Sequence, residues 1–367
     1  MTMGARFATL GALLAAIACG RSDMLGGTTA GQGIQAGAGA GGSEPSTVEV
    51  NAAGGTGGDS TTATGGNVGS GGDVVHTITE FTIPSLVSQP RVIVTGADGN
   101  LWFTEYNVDQ IGRITPAGAI TEYLVPTRDA GLFGIAAGLD GNLWFAEVLA
   151  HRVGYVTTSG KVTELLLPPD TSLPKGVAVG PDGAPWFTGY LGDDIVRMTA
   201  AGTTTVLSCG LDGVWVGIVT GPDRCLWLTG NSSDSLCKLC LDGSATLFDL
   251  PNASSQPWGI TVGSDGNLWF AEYGGSRIGR ITLAGTLTEF PIPTAGSYPV
   301  DIVAGPDGNL WFTEDAGNNI GRITSAGEIA EFPIPTPGSG PAGITAGPDG
   351  NLWFVEQVGN KIGRINP

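Results

Sequence analysis

From about residue 74 to the C-terminus, short apolar runs alternate with polar breaks rich in Gly, Pro, Asn and Asp. The stretch starting near Tyr298 shows the pattern most clearly. Val300 to Ala304 is an apolar run and reads as a first strand. Pro306-Asp307-Gly308-Asn309 is a tight-turn signal, because Asp and Asn bond their own backbone and Gly supplies positive φ. Leu310 to Glu314 alternates with a period of two and reads as a second strand. Asp315 to Asn319 is a polar loop, Ile320 to Thr324 a third strand, Ser325-Ala326-Gly327 a turn, and Glu328 to Phe332 a fourth strand.

This unit repeats. The phrase Gly-x-Asp-Gly-Asn-Leu-Trp-Phe occurs at Gly96–Phe103, Gly138–Phe145, Gly263–Phe270, Gly305–Phe312 and Gly347–Phe354, with degenerate copies at Gly180–Phe187 and Gly221–Leu228. The copies lie 41 or 42 residues apart. Trp102, Trp144, Trp186, Trp227, Trp269, Trp311 and Trp353 share one repeat position. Four antiparallel strands in that period make a propeller blade, and a lone blade exposes apolar faces that only neighbouring blades can cover. The repeated Trp is the natural filler between blades. The expected fold is all-β, a seven-bladed β-propeller with four antiparallel strands per blade.

Closure is legible as well. The last copy stops at Ile365-Asn366-Pro367, before a fourth strand, and that strand stands at the other end as Thr77-Ile78-Thr79-Glu80-Phe81. The N-terminal strand is therefore expected to complete the last blade and remove the open edge.

Five cysteines divide unevenly. Cys209, Cys225, Cys237 and Cys240 fall in the degenerate fourth copy. The expected disulfides are Cys225–Cys240 and Cys209–Cys237; a Cys₄ zinc site is the rival, since Cys237-x-x-Cys240 has ligand spacing. Cys19 stands alone, after an apolar run (Phe7 to Ala18) that follows Arg6. That run is too short to span a bilayer but suits a signal peptide. Ala16-Ile17-Ala18-Cys19-Gly20 resembles a bacterial lipobox, which implies that Cys19 is lipidated and becomes the first mature residue. Gly20 in place of Asp leans toward the outer membrane. Residues 1–18 are thus expected to be signal peptide and 19–73, rich in Gly, Ser, Thr and Ala, a disordered tether; residues 74–367 are the propeller.

Lys and Arg total 16 against 34 Asp and Glu, a formal net charge of −18. Such a surface repels phosphate backbones, so nucleic acid is not expected as a partner. A monomer is expected, tied to a membrane by its lipid, with an unknown small molecule, peptide or protein on the propeller face.

The phrases GPDGNLWFTE, IGRIT and ITEFPIPT resemble the virginiamycin B lyase (streptogramin lyase) family over residues 76 to 367. The resemblance implies a carbon–oxygen lyase that linearises a cyclic depsipeptide by elimination, with Mg²⁺. It places a catalytic His where this chain has Ala342, a substrate-contacting His where it has Val300, and a metal-binding Glu where it has Gly340. A second carboxylate ligand falls at Glu356 or Gln357. Ala and Val cannot accept a proton, so the family's activity is not expected from these positions, and a ligand-binding or scaffold role at the cell envelope competes with an active lyase using other residues. The two histidines read as a surface strand residue, His76, and a loop residue, His151.

In a propeller the loops entering first strands share a face with those joining second and third strands. That face would carry Arg91, Phe133, Lys175, Val216, Trp258, Val300 and Ala342. It would also carry the acids ending second strands: Glu105, Glu147, Glu272, Glu314 and Glu356. Arg91, Lys175, Trp258 and Asp301 are the candidate ligand-binding residues, and Glu272, Glu314 and Glu356 the candidate metal ligands. A structural alternative pairs each Glu with the Arg of Ile-Gly-Arg, as Glu105 with Arg113 or Glu314 with Arg322.

Overall fold

The computed structural model describes residues 46–50 and 76–367. Seven four-stranded antiparallel blades span 90–124, 132–166, 173–208, 215–249, 257–291, 299–333 and 341–365, the last completed by His76–Thr82. That closing strand pairs antiparallel with Lys361–Ile365, with Phe81 opposite Ile362. A further strand, Ser46–Val50, pairs with the outer side of His76–Thr82, inside the stretch expected to be a tether. First strands of successive blades pack against one another all round the ring, blade seven against blade one included. They therefore line the central channel.

The repeat text has a physical reason at each position. The turn Asp accepts a hydrogen bond from the indole Nε1 four residues on, as Asp98 from Trp102 at 3.1 Å and Asp307 from Trp311 at 3.0 Å. The preceding Gly is required there: a Cβ on Gly96 would lie 2.7 Å from both Asp98 Oδ1 and the Trp102 ring. Each Trp is buried against the second strand of the next blade; Trp102 packs with Leu143 and Phe145, and Trp353 with Leu101 and Phe103. Its other side meets an Arg or an aromatic ring. Arg113 lies over both Trp102 and Tyr123, and Arg322 over Trp311 and Phe332. The Arg of Ile-Gly-Arg is thus a stacking residue, opposite Trp in the ladder, and does not pair with the Glu that ends the second strand.

Both expected disulfides are formed, Cys209–Cys237 and Cys225–Cys240. His76 departs from its expected surface position. It is buried, donates from Nδ1 to the Asn366 carbonyl at 2.8 Å, and lies 4.5 Å from the Phe332 ring centroid. The closing strand is covered by blade six, which is why a strand at the chain's start is not an exposed one. Cys19 and the signal peptide lie outside the described residues.

Candidate functional site at the channel mouth

Each first strand carries a break in its ladder with the second strand, between Pro90 and Ile93 in blade one and at the same place in the other six. Bulges re-aim side chains. The two residues released from pairing form two rings: Arg91, Phe133, Lys175, Val216, Trp258, Val300 and Ala342, then Val92, Gly134, Gly176, Gly217, Gly259, Asp301 and Gly343. Second-strand threonines hold the break. The hydroxyl of Thr104 donates to the Phe133 carbonyl of the next blade at 2.7 Å, Thr229 to Trp258, and Thr313 to Ala342 at 2.6 Å. The backbone that presents each mouth residue is therefore fixed by the preceding blade.

The structure brings together three of the four expected ligand-binding residues. The Lys175 ammonium lies 4.8 Å from the Phe133 ring centroid, 4.6 Å from Tyr190 and 4.6 Å from Trp258. Arg91 stands over Tyr106 at 5.0 Å and over the same Phe133 ring at 5.7 Å. Its guanidinium donates to Gln357 Oε1, and Gln357 Nε2 donates to Asp315 Oδ1 at 3.2 Å. Burial, then the Arg91 charge, pulls the Lys175 amine down to about 7; the three ring faces act in the opposite direction, favouring the ammonium. Trp258 continues the aromatic surface to Tyr273 at 5.5 Å and on to Tyr298 at 4.9 Å.

Asp301 sits apart from this group. It fills the place that glycine takes in five other blades and accepts hydrogen bonds from the backbone of Ile302 and, across the blade boundary, of Ile344. Burial raises its carboxyl to about 6.

The glutamates behave differently from expectation. Glu105, Glu147, Glu272, Glu314 and Glu356 are fully buried. Each lies in its own blade beside the fourth-strand Glu: Glu122, Glu164, Glu289, Glu331 and Glu80. Burial first, and that second carboxylate next, push Glu105, Glu147, Glu314 and Glu356 to about 8 and Glu272 to about 7. The fourth-strand acids tie down the loop entering their blade. Glu164 accepts from the Thr127 amide and hydroxyl, and Glu80 from those of Thr336. Serine acts against burial, toward the charged form, at Glu105, Glu272 and Glu356. The Ser88 hydroxyl, which donates to Asn360, lies beside Glu105 and pulls its carboxyl back down by less than burial and Glu122 raise it.

The proposed metal ligands Glu272, Glu314 and Glu356 are accordingly held in three separate blades. Among the described residues no three His, Cys, Asp or Glu side chains converge as a metal would require. At the positions the family resemblance assigns to Mg²⁺, Gly340 has no side-chain ligand and its carbonyl accepts from the Gln357 amide, Glu356 faces Glu80 and Lys361, and the Gln357 side chain is engaged by Arg91 and Asp315. These residues do not fit the ion. His151 holds the loop entering blade three, its Nε2 2.9 Å from the Thr171 carbonyl, and is not a mouth residue.

Tyr106, Tyr190, Tyr273 and Asp315 escaped the sequence reading. Tyr106, Tyr273 and Asp315 directly follow the second strand and Tyr190 ends it, at a repeat position that otherwise carries Val148, Asn231 and Gln357. Its variety within an otherwise regular repeat was the available signal.

Comparison with known proteins settles the scaffold. The profile of the virginiamycin B lyase family matches residues 60–227 and 210–367. The chain belongs to the virginiamycin B lyase family. A streptogramin B lyase structure is 37% identical with a TM-score of 0.76, covering 79% of this chain and 97% of that one. Virginiamycin B lyase from Staphylococcus aureus is 36% identical with a TM-score of 0.76, over 80% of this chain and 99% of that one. A catalytically inactive His-to-Ala variant of that lyase, with quinupristin, matches equally well. No curated protein sequence matches.

Proposed function

We propose that this virginiamycin B lyase family member is a lipid-anchored, ligand-binding propeller of the cell envelope that does not linearise streptogramins. One observation carries the reading: the positions that the family resemblance gives to histidine hold Ala342 and Val300. General-base catalysis needs a group of suitable pKa within hydrogen-bonding reach. Both histidines of the chain are engaged elsewhere, His76 in the closing strand and His151 in a loop. The S. aureus variant in which one His became Ala is catalytically inactive, and this chain carries a comparable change by nature. The mouth nevertheless keeps an aromatic and cationic lining, and its rim collects exposed Leu86, Val87, Leu149, Leu191 and Val358. Such a concave, mostly apolar site with a few polar groups is the usual form of a ligand pocket.

Purified propeller incubated with a streptogramin B and Mg²⁺ is expected to leave the depsipeptide cyclic by mass spectrometry; linear product would overturn the reading. Cys19→Ser is expected to release the chain from membranes, and retention of that variant would sink the anchor. A second reading, an active lyase using another base of the same face, has the Lys175 amine in its favour. Turnover that disappears in Lys175→Met would establish it.

A further inference from the structure

The chain carries an excess of acid, and its described cations are mostly matched by acids or rings in scaffold positions. Arg197 pairs with Asp182, Lys238 with Asp223, Arg277 with Glu272 and Glu289, and Lys361 with Glu80. Lys175 differs. Its side chain is more than nine-tenths buried, and among the described residues it has no acid and no hydrogen-bond acceptor. It reaches the centre of the mouth and rests among three ring faces. A second cation, Arg91, approaches the same Phe133 ring and adds to the positive charge there. Ring faces compensate only part of what an ammonium loses on leaving water. An anion placed between the two cations would supply the rest.

The surroundings define what the anion would be attached to. Trp258, Tyr273 and Tyr298 form a continuous aromatic track from the Lys175 cage outward, Trp258 tilted by 42° to Tyr273 and Tyr273 stacked on Tyr298, which is 40% exposed at its end. Flat faces in series accept a flat partner. Burial keeps Tyr273 neutral by raising its hydroxyl to about 12, with the Asp315 charge adding to the shift. Asp315 also disfavours a second anionic group at that end.

We propose that the mouth binds a planar aromatic monocarboxylate, its carboxylate between Lys175 and Arg91 and its ring system on the Trp258–Tyr273–Tyr298 track. This deepens the ligand-binding reading and rests on it. The carboxylate takes one proton-donating contact from Lys175 Nζ and engages the Arg91 guanidinium in competition with Gln357. The Trp258 carbonyl is held by Thr229, so the track's first ring is presented by a fixed backbone.

Isothermal titration calorimetry with indoleacetate, tryptophol and tryptamine tests this, because the three share a ring and differ in charge. Indoleacetate is expected to bind with one site per propeller, about tenfold or more tighter than tryptophol, since charge-assisted bonds are roughly twice as strong as neutral ones. Tryptamine is expected not to bind. Lys175→Met is expected to abolish the preference for indoleacetate, and Tyr273→Ala to weaken indoleacetate and tryptophol by the same factor. Thermal melting of each variant separates loss of site from loss of fold, and Lys175→Arg, which keeps the charge, is expected to retain the preference. The proposal is overturned by tryptamine binding best, by equal affinities for acid and alcohol, by a preference unaffected in Lys175→Met, or by no binding of any of the three. Those outcomes leave the question of lyase turnover untouched, and linear streptogramin product would refute the non-lyase reading without bearing on them.

Discussion

Blades one, two, five, six and seven differ from blades three and four in one consistent way. The five regular blades set two glutamates side by side, a fully buried one ending the second strand and one in the middle of the fourth that is partly buried in four blades and buried as Glu80 in blade seven. In blade three the same positions are Gly189 and Val206, and in blade four Gly230 and Leu247. The two acids are present together or absent together. A buried carboxylate without a partner is costly, whereas two carboxyls that share a proton stabilise each other's presence. The pair is a structural unit, and the fourth-strand member of it holds the entering loop. Blade four holds that loop by a covalent bond instead, since Cys209 lies in it and Cys237 in the third strand. Cys237 takes the place of Gly112 in blade one, where a Cβ would lie 2.1 Å from the Phe103 ring. Blade four has Leu228 in place of that Phe, which makes the room.

The largest expected effect breaks the covalent half of this comparison. Cys209→Ala with Cys237→Ala should destabilise the propeller by roughly 2–4 kcal/mol, as disulfides closing loops of this length do. Denaturant melts of the variant and of wild type should show it, and an unchanged midpoint would mean that packing alone holds the loop.

The next effect concerns the acid pairs. Their second-strand members have folded pKa values raised from 4.5 to between about 7 and 8. The folded state therefore binds more protons than the unfolded state, and this contribution to stability is full below pH 4.5 and lost as pH rises through 8. The Lys175 amine, lowered to about 7, acts mainly above this window and with the opposite sign. Wild type should melt at a higher temperature at pH 5 than at pH 8. Glu314→Gln mimics the protonated acid and should stabilise by on the order of 2 kcal/mol at pH 8, where it removes a buried charge. At pH 5 it should change little. A variant that destabilises equally at both pH values would contradict the shared-proton account.

The smallest effect sharpens the comparison within the regular blades. Blade five places Arg277 against both its acids, and Glu272 is the least raised of the five. Blade six has Asn319 there. Asn319→Arg should stabilise by about 0.5–1 kcal/mol at pH 8, within the range of partly exposed ion pairs, and flatten the pH dependence. Melts at the two pH values would read this directly.

Much of the scaffold was legible because each feature is local and repeated. The Asp-to-Trp spacing, the Gly that admits both, the four short strands and the missing last strand all follow from residues a few positions apart. The disulfides were legible because the register of one hairpin sets Cys225 against Cys240. The glutamates were not. Their spacing puts them at second-strand ends, as expected, yet whether such a side chain faces the mouth or its own blade depends on the fourth strand two ladders away. The Arg of Ile-Gly-Arg was assigned to the wrong partner for the same reason, since the register places it opposite Trp.

The sequence by itself determined the repeat, the blade count, the closure by the N-terminal strand, and the loss of histidine at the family's positions. It did so because hydrophobic period, turn chemistry and residue identity are properties of the chain. Only the tertiary structure decided which side chains meet at the axis. Lys175 of blade three reaches Phe133 of blade two and Trp258 of blade five because the ring closes and every first strand breaks its ladder at the same point. Residues more than 80 positions apart acquire a common environment only through that closure, and the cage around Lys175 exists nowhere in the linear order of the chain.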